Sequence, residues 1–409
     1  MRGPKALILL MVTAALWAPA AAGAQVPDEA VKLFTRFETL WADPAALGDE
    51  IRAIRTLNPE WDFMHRTFLV LATVNLALAD AIDDDRALAL VDRVINDTLE
   101  REREGGLHHF LMAYSKAGPW IADPPRSQFV DGEIAMMLAA RRVLRDAPEH
   151  RTLHRSRIEI ITRRMAASPT RSAESYPDEC WTFCNTIALA AIHVGDLLDG
   201  TDHDGLLRDW IRAAERLLTD QASGLLISAY TLEGRPTSSG AGPEGSTIWL
   251  VAHMLQVVAP ELARDQYDRA RKALGRTLLG LGWSLEWLPA AGVEPDIDSG
   301  GLVPGILAST SASGLALIAS RAFGDTAYHD ALRRSLALAG PTEENGQLRY
   351  AASNLVGDAV ILYGLVNGPL WEVILRRGAR GTRAPRRWAD PRTSSARSPA
   401  PGIARRTPR

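Results

Sequence analysis

The sequence predicts an all-α protein, an (α/α)6 toroid of alternating inner and outer helices with a small β-hairpin insertion. Three observations carry that prediction. Apolar, charge-poor helical stretches alternate along the chain with amphipathic, charged ones; there are six of each; and strand-like patterning is confined to one short segment. A helix that is apolar on most of its faces must be buried on most of its faces, as in a doubly covered inner layer. A one-sided helix suits an outer layer.

The chain starts with a leader. Arg2 and Lys5 precede residues 6–18, which are apolar apart from Thr13; Pro19 ends the run, and Ala22-Gly23-Ala24 is the small-residue pattern cut by signal peptidases. The run is too short for a comfortable membrane span, and no stop-transfer charge follows it. Residues 1–24 therefore read as a signal peptide, with a mature chain from Gln25 that is exported to the periplasm or beyond the cell. An uncleaved anchor is the alternative.

Residues 25–375 read as the barrel domain. The inner helices are expected at 67–79, 134–140, 186–194, 247–258, 306–319 and 359–370. The outer ones are expected at 29–54, 86–104, 150–166, 204–219, 261–278 and 326–337. In the fourth of these, Leu206, Leu207, Trp210, Ile211, Ala214, Leu217 and Leu218 keep the three-to-four spacing of a one-sided helix. The repeat unit is roughly fifty to sixty residues, longer than most solenoid repeats. An open α-solenoid is the first alternative. A helical membrane protein is the second, but the 359–370 segment is bounded by Asp358, Asn367, Gly368 and Pro369 and is too short to span. Residues 225–232 alternate like a strand, Glu233-Gly234 reads as a turn, and the Gly/Ser/Thr/Pro-rich 235–245 segment completes a small hairpin and loop insertion.

Composition sets the bounds on partners. The 409 residues are 46% hydrophobic and carry a formal net charge of −3. From Arg376 onward the chain is rich in Arg, Pro, Ser and Gly with Asp390 as its only acid, so the body itself is acidic. An acidic body disfavours nucleic acid. Residues 376–409 read as a disordered basic tail; its composition favours an end without a partner, with weak membrane-surface contact by counterion release as the alternative. Two cysteines do not make a disulfide framework.

Acids recur ahead of the inner helices: Glu60 and Asp62 beside Trp61, Asp131 and Glu133 around Gly132, Asp178-Glu179-Cys180-Trp181, Glu244 between Gly242-Pro243 and Gly245-Ser246, and Asp296-Ile297-Asp298-Ser299-Gly300. In a toroid these starts share one rim and face one funnel. A single acid at a helix start is ordinarily a cap or dipole partner. The recurrence, with Gly, Ser or an aromatic added, points to converging carboxylates. Cys180 and Cys184 are expected one turn apart on one helix face, where a bridge would be strained. They are inert buried thiols or functional ones. The helix start lowers a thiol's pKa and Asp178 and Glu179 raise it. His150 and His154 have metal-pair spacing but sit among Arg151, Arg155 and Arg157, so a solvated face is the expectation. His108 and His109 follow a Gly pair in a loop that could reach the funnel. No metal, nucleotide or redox motif is present, and no cofactor is expected. Of the 11 tryptophans, Trp61, Trp181, Trp249, Trp283 and Trp287 lie near the rim, where packing or ligand stacking would each explain them.

The chain resembles the linalool dehydratase/isomerase-like proteins. The resemblance is carried by Asn58-Pro59-Glu60-Trp61-Asp62, Asp178-Glu179-Cys180-Trp181-Thr182-Phe183-Cys184-Asn185, Gly242-Pro243-Glu244-Gly245-Ser246, Asp296-Ile297-Asp298-Ser299-Gly300 and Gly368-Pro369-Leu370-Trp371. It implies an (α/α)6 barrel, export, homo-oligomers and cofactor-free addition or removal of water on a monoterpene alcohol. It also implies a site that combines paired Cys with Asp, His and Tyr. The expectation is therefore an acid/base lyase or isomerase acting on a small molecule. Asp178, Glu179, Cys180, Cys184, Glu244 and Asp298 are the catalytic candidates. Trp61, Asp62, Asp131, Trp181, Tyr230, Trp249 and Asp296 are the substrate-binding ones. The alternatives are a glycoside hydrolase or polysaccharide lyase with paired carboxylates, or a non-catalytic envelope binding protein.

Overall fold

A computed structural model describes residues 26–237, 242–289, 302–303 and 305–381. Six helices form a closed inner ring: α3 (Pro59–Leu78), α5 (Gln128–Leu144), α7 (Thr182–Asp199), α9 (Gly245–Leu255), α11 (Thr310–Ala322) and α13 (Leu355–Val366). Each packs on the next and α13 packs back on α3, which closes the toroid. The outer layer is α1 (Asp28–Ala42), α2 (Pro44–Leu57), α4 (Asp84–Gly105), α6 (Pro148–Ala167), α8 (Asp204–Leu217), α10 (Pro260–Ala273) and α12 (Thr326–Leu336). The (α/α)6 expectation holds, and the apolar stretches are the buried ones. From Thr67 to Ala77 every residue of α3 is buried, whereas α8 buries one stripe, Leu207, Trp210, Ala213 and Ala214.

Local chemistry sets the helix starts at the rim. Asn58 caps α3 by accepting from Glu60 N–H at 2.8 Å, with Pro59 in the first turn. Ser309 caps α11 and Asn354 caps α13 in the same way. Gly132 lets α5 approach α7 closely: a Cβ there would lie 3.2 Å from the Ala188 Cβ and 3.3 Å from the Cys184 carbonyl oxygen.

Several boundaries are corrected. The 29–54 helix is two, broken at Asp43-Pro44, where proline opens α2 and Asp43 caps it. The 261–278 helix ends at Ala273, and β3 (Gly275–Leu278) follows. Residues 306–309 precede α11 rather than belonging to it. Strands are also more numerous than expected. A four-stranded antiparallel sheet orders β3, β4 (Leu281–Leu285), β6 (Ala308–Ser309) and β5 (Leu302–Val303). A hairpin of β7 (Pro341–Glu344) and β8 (Gln347–Tyr350) turns at Asn345-Gly346, both at positive φ. The expected hairpin forms, with Tyr230 bridged antiparallel to Pro236 across the Glu233-Gly234 turn, and β2 (Ala229–Tyr230) also makes a long-range antiparallel pair with β1 (Cys180–Trp181).

The last helix, α14 (Pro369–Gly381), leaves the ring at Asn367-Gly368 and contacts α3, α5 and α7. The tail boundary at 376 is thereby corrected, since Arg376 pairs with Glu372 and Arg377 donates to the Val143 carbonyl. The leader, residues 382–409, Asp296 and Asp298 lie outside the described residues. Among the described residues no single helix is long and apolar enough to cross a membrane; α13 and α14 reach that length only across a 53° bend.

Candidate active site

A cavity of about 720 Å³ opens where the six inner helices begin. Every one of them contributes to its wall: Glu60, Trp61 and Met64 from α3, Phe129 from α5, Phe183 and Cys184 from α7, Ser246 and Thr247 from α9, Thr310 to Leu317 in part from α11, and Val356, Val360 and Ile361 from α13. Leu281, Trp283, Leu336 and Leu338 extend it outward, so most of the lining is aliphatic or aromatic.

The acid/base groups gather on the α3–α7 side. Tyr176 donates its hydroxyl hydrogen to the Glu60 carboxylate and accepts from Met112 N–H at 2.9 Å. Tyr114 stacks on Tyr176 with ring centroids 4.3 Å apart and donates to Glu179 at 3.2 Å. The Trp181 indole N–H donates to the same Glu179 oxygen. Burial, reinforced by the Glu60 charge, pushes the Tyr176 phenol far above its ordinary range, so it stays neutral. On the α9 side Glu244 lies on the wall. Behind it Glu286 accepts from Ser246 N–H at 2.8 Å and from the hydroxyls of Ser246 and Ser309, each at 2.6 Å. Glu286 thereby ties the start of α9 to that of α11.

The two thiols are separated by structure. Cys180 is in β1 and fully buried behind the wall, while Cys184 is in α7 and lines the cavity. The shared helix face expected from their spacing does not form, because α7 begins at Thr182. Both are free. Burial pushes both thiols up, and neighbouring carboxylates, Glu174 for Cys180 and Glu133 and Glu60 for Cys184, add to it. The expected lowering by a helix start does not prevail. Glu133, buried in α5, is raised by burial to about 8 against one hydrogen bond from Thr67 at 2.5 Å.

Of the other sequence candidates, Trp61, Trp181, Glu179 and Glu244 stand at or against the cavity. Four do not. Asp62 faces the outer layer, held by Arg55 and Arg66 at 2.9 Å each; burial would raise its carboxyl, but the guanidiniums hold it below the usual range. Asp131 is likewise turned outward onto Arg126, Arg157 and Arg164. Tyr230 is core, bonded to Ser172 at 2.7 Å, and Trp249 is core, its N–H on Ser284 at 2.8 Å. Asp178 occupies a left-handed turn (φ 50°) and is absent from the wall. The expected solvated face at His150 and His154 is also corrected: both are buried, and burial with the Arg142 charge lowers His154 to about 3. His108 bonds Ser115 at 2.9 Å, and neither it nor His109 reaches the wall. Among the described residues no three His, Cys, Asp or Glu side chains converge in a way that could hold a metal ion.

Neither Glu60, which stands inside a quoted motif, nor Tyr176, two residues ahead of another, is among the site residues expected from the sequence. Helical phase was the usable signal. Glu60 and Met64 share one face of α3, Asp62 and Arg66 another, and only the uncharged partner can face an apolar void.

Three solved structures align with this chain over most of its length. A GH76 alpha-mannanase of Bacteroides thetaiotaomicron is 10% identical, with a TM-score of 0.49 over 76% of this chain and 87% of that one. A family 76 glycoside hydrolase (mannosidase) of that species is 10% identical, with a TM-score of 0.44 over 79% and 88%. Another, from a bovine strain, is 9% identical, with a TM-score of 0.42 over 76% and 69%. At these scores the likeness bears on neither reaction nor substrate. The sequence model of the linalool dehydratase/isomerase family matches residues 147–356. That stretch runs from α6 into the start of α13 and contains Tyr176, Glu179, both cysteines and Glu244. Spanning half the chain and three of the walls just described, this match makes the protein a member of the linalool dehydratase/isomerase family.

Proposed function

We propose that the protein is a cofactor-free lyase or isomerase that adds water to, or removes it from, a small and largely apolar alcohol of terpenoid type. The supporting observation is the cavity itself: an apolar, aromatic wall with the hydrogen-bonded Glu60–Tyr176 pair and the neutral Cys184 thiol on one side. Such a wall suits a hydrocarbon skeleton better than a polysaccharide. In the dehydration direction the Cys184 thiol gives its proton to the leaving hydroxyl, which departs as water. Glu60, steadied by Tyr176, removes a proton from the adjacent carbon. The C–H electron pair becomes the new double bond, and proton return from Glu60 to Cys184 through solvent resets the site. Glu179 and Glu244 orient or exchange protons at the margins. The leader directs this chemistry outside the cytoplasm.

The test is a screen of monoterpene alcohols and mannose-type oligosaccharides with the purified chain, followed by Cys184→Ser, Cys180→Ser and Glu60→Gln. Turnover of an alcohol that collapses in Cys184→Ser and Glu60→Gln and survives in Cys180→Ser supports the reading. Hydrolysis of an oligosaccharide, or rates unchanged in both cavity variants, sinks it.

A further inference from the structure

Beneath the cavity lies an acid that the reaction above does not use. Glu133 is 1% exposed. The inner helices run from the rim toward the floor, so a later residue on each lies deeper. On α3 Glu60, Met64 and Thr67 share one face at successive turns. The first two line the cavity, and Thr67 is buried a turn below them. On α5 Phe129 lines the cavity, and Glu133 follows four residues later, one turn or about 6 Å deeper. Thr67 donates to Glu133 at 2.5 Å across that level. Gly132, the preceding residue, brings α5 against the Cys184 carbonyl oxygen of α7, and Cys184 is itself on the wall. Glu133 therefore stands one turn under Met64 and Phe129, against the helix that carries the thiol.

The surroundings of Glu133 fix its charge. The cations of the neighbouring helices are turned away from it: Arg66 on α3 holds Asp62 and Asp97, and Arg157 and Arg164 on α6 hold Asp131. His65 of α3 lies toward Trp41, with ring centroids 6.0 Å apart. Only the Thr67 hydrogen bond opposes the effect of burial. A carboxylate without a cation is costly in such a place, and packing alone calls for an apolar side chain. Burial accordingly carries Glu133 from 4.5 to about 8, so it is uncharged at neutral pH. On the cavity side its titratable neighbours are Cys184 and Glu60. Of the two carboxylates that act on the Cys184 thiol, Glu133 acts more strongly than Glu60.

We propose that Glu133 is a positioning residue that sets the acid strength of Cys184: its uncharged carboxyl lets the thiol release a proton to the leaving hydroxyl, and its carboxylate, once formed, holds that proton back. A thiol that gives up its proton becomes an anion, and a second anion in the same apolar surroundings opposes it. The inference rests on the acid role assigned to Cys184 above. The proton balance of that reaction is unchanged, since Glu133 transfers no proton during turnover.

The experiment reads Cys184 directly. In Cys180→Ser protein, the rate of alkylation by iodoacetamide reports the Cys184 thiolate. Glu133→Gln keeps the shape of the side chain and cannot ionise. With and without it, alkylation should match at about pH 6, and at about pH 9 the Glu133→Gln protein should react about tenfold faster. If that variant fails to fold, Thr67→Val serves instead. It removes the hydrogen bond that favours the carboxylate and should speed alkylation at about pH 9 by about threefold. With an alcohol whose turnover requires Cys184 and Glu60, the wild-type rate should fall as pH rises through 8, and the rate of Glu133→Gln should hold through that window. Equal alkylation at about pH 9, or the same alkaline fall in both proteins, overturns the inference. Absence of any alcohol turnover sinks the proposed reaction instead, and the alkylation rates then decide this inference by themselves.

Discussion

Where the six inner helices begin, the barrel opens into a cavity whose acids, phenols and thiol face the void; where they end, α14 lies across α3, α5 and α7. At that floor the polar groups bond one another. His253 Nε2 meets the Tyr363 hydroxyl at 2.7 Å, the Trp371 N–H reaches both at 3.1 Å, and Asn75 accepts from Leu370 N–H at 3.0 Å. Arg321 donates to the Asn367 carbonyl at 2.7 Å. Helix polarity explains the division. Helix starts present N–H groups and partial positive charge, so carboxylates can gather there without cations; helix ends present carbonyls and need donors. A barrel whose inner helices all run one way therefore has one end suited to acid/base chemistry and one end suited to a plug.

This contrast is testable from both ends. The largest effect is expected at the rim. Glu60→Gln should lower turnover of an identified substrate by about 10²-fold or more, with unfolding free energy within about 2 kcal/mol of wild type. A rate left intact would remove the rim from the mechanism. At the floor the pattern should invert. Trp371→Ala should cost about 3–5 kcal/mol in denaturant unfolding, while the rate per folded molecule stays close to wild type. Comparable loss of rate would show that floor and rim are coupled.

Between the ends, Asp131→Asn sharpens the distinction between acids that face the cavity and acids that face outward. It strips the carboxylate from Arg126, Arg157 and Arg164 and should cost about 3 kcal/mol, the usual loss on breaking a buried ion pair, with turnover preserved. A further test is a pH slope. Glu133 rises from 4.5 to about 8 on folding. The stability tied to its proton is complete below 4.5 and lost as pH rises through 8. Unfolding measured across that window should fall more steeply in wild type than in Glu133→Gln; parallel profiles would contradict the burial argument. His253, lowered by burial from 6.5 to about 3, works in the opposite sense. Its contribution is full above 6.5 and is lost as pH falls toward 3.

The helical layers were readable because burial on all faces leaves a compositional mark, as from Thr67 to Ala77 of α3. The Asn345-Gly346 hairpin was readable too, a local turn signal that was overlooked. The β1–β2 pair was not. Cys180 meets Tyr230 across a long sequence separation, and two-residue strands have no periodicity of their own. That pairing delays α7 to Thr182 and puts the two thiols in different surroundings. The rim acids were legible as a set but not individually. Asp62 and Glu60 are two residues apart in one motif, and both look equally reactive in a one-dimensional string.

Sequence alone determined the six-fold alternation of buried and amphipathic helices, the placement of acids near the starts of the inner ones, and the family. Those properties are written in local composition and spacing, which folding preserves. Only the tertiary structure decided which side of each helix start meets the void. Arg55 and Arg66, Arg126, Arg157 and Arg164 draw Asp62 and Asp131 outward, while Glu60, bonded to Tyr176, is left at the cavity. The choice rests on which distant cation or phenol each acid meets, and that partner exists only once the ring has closed.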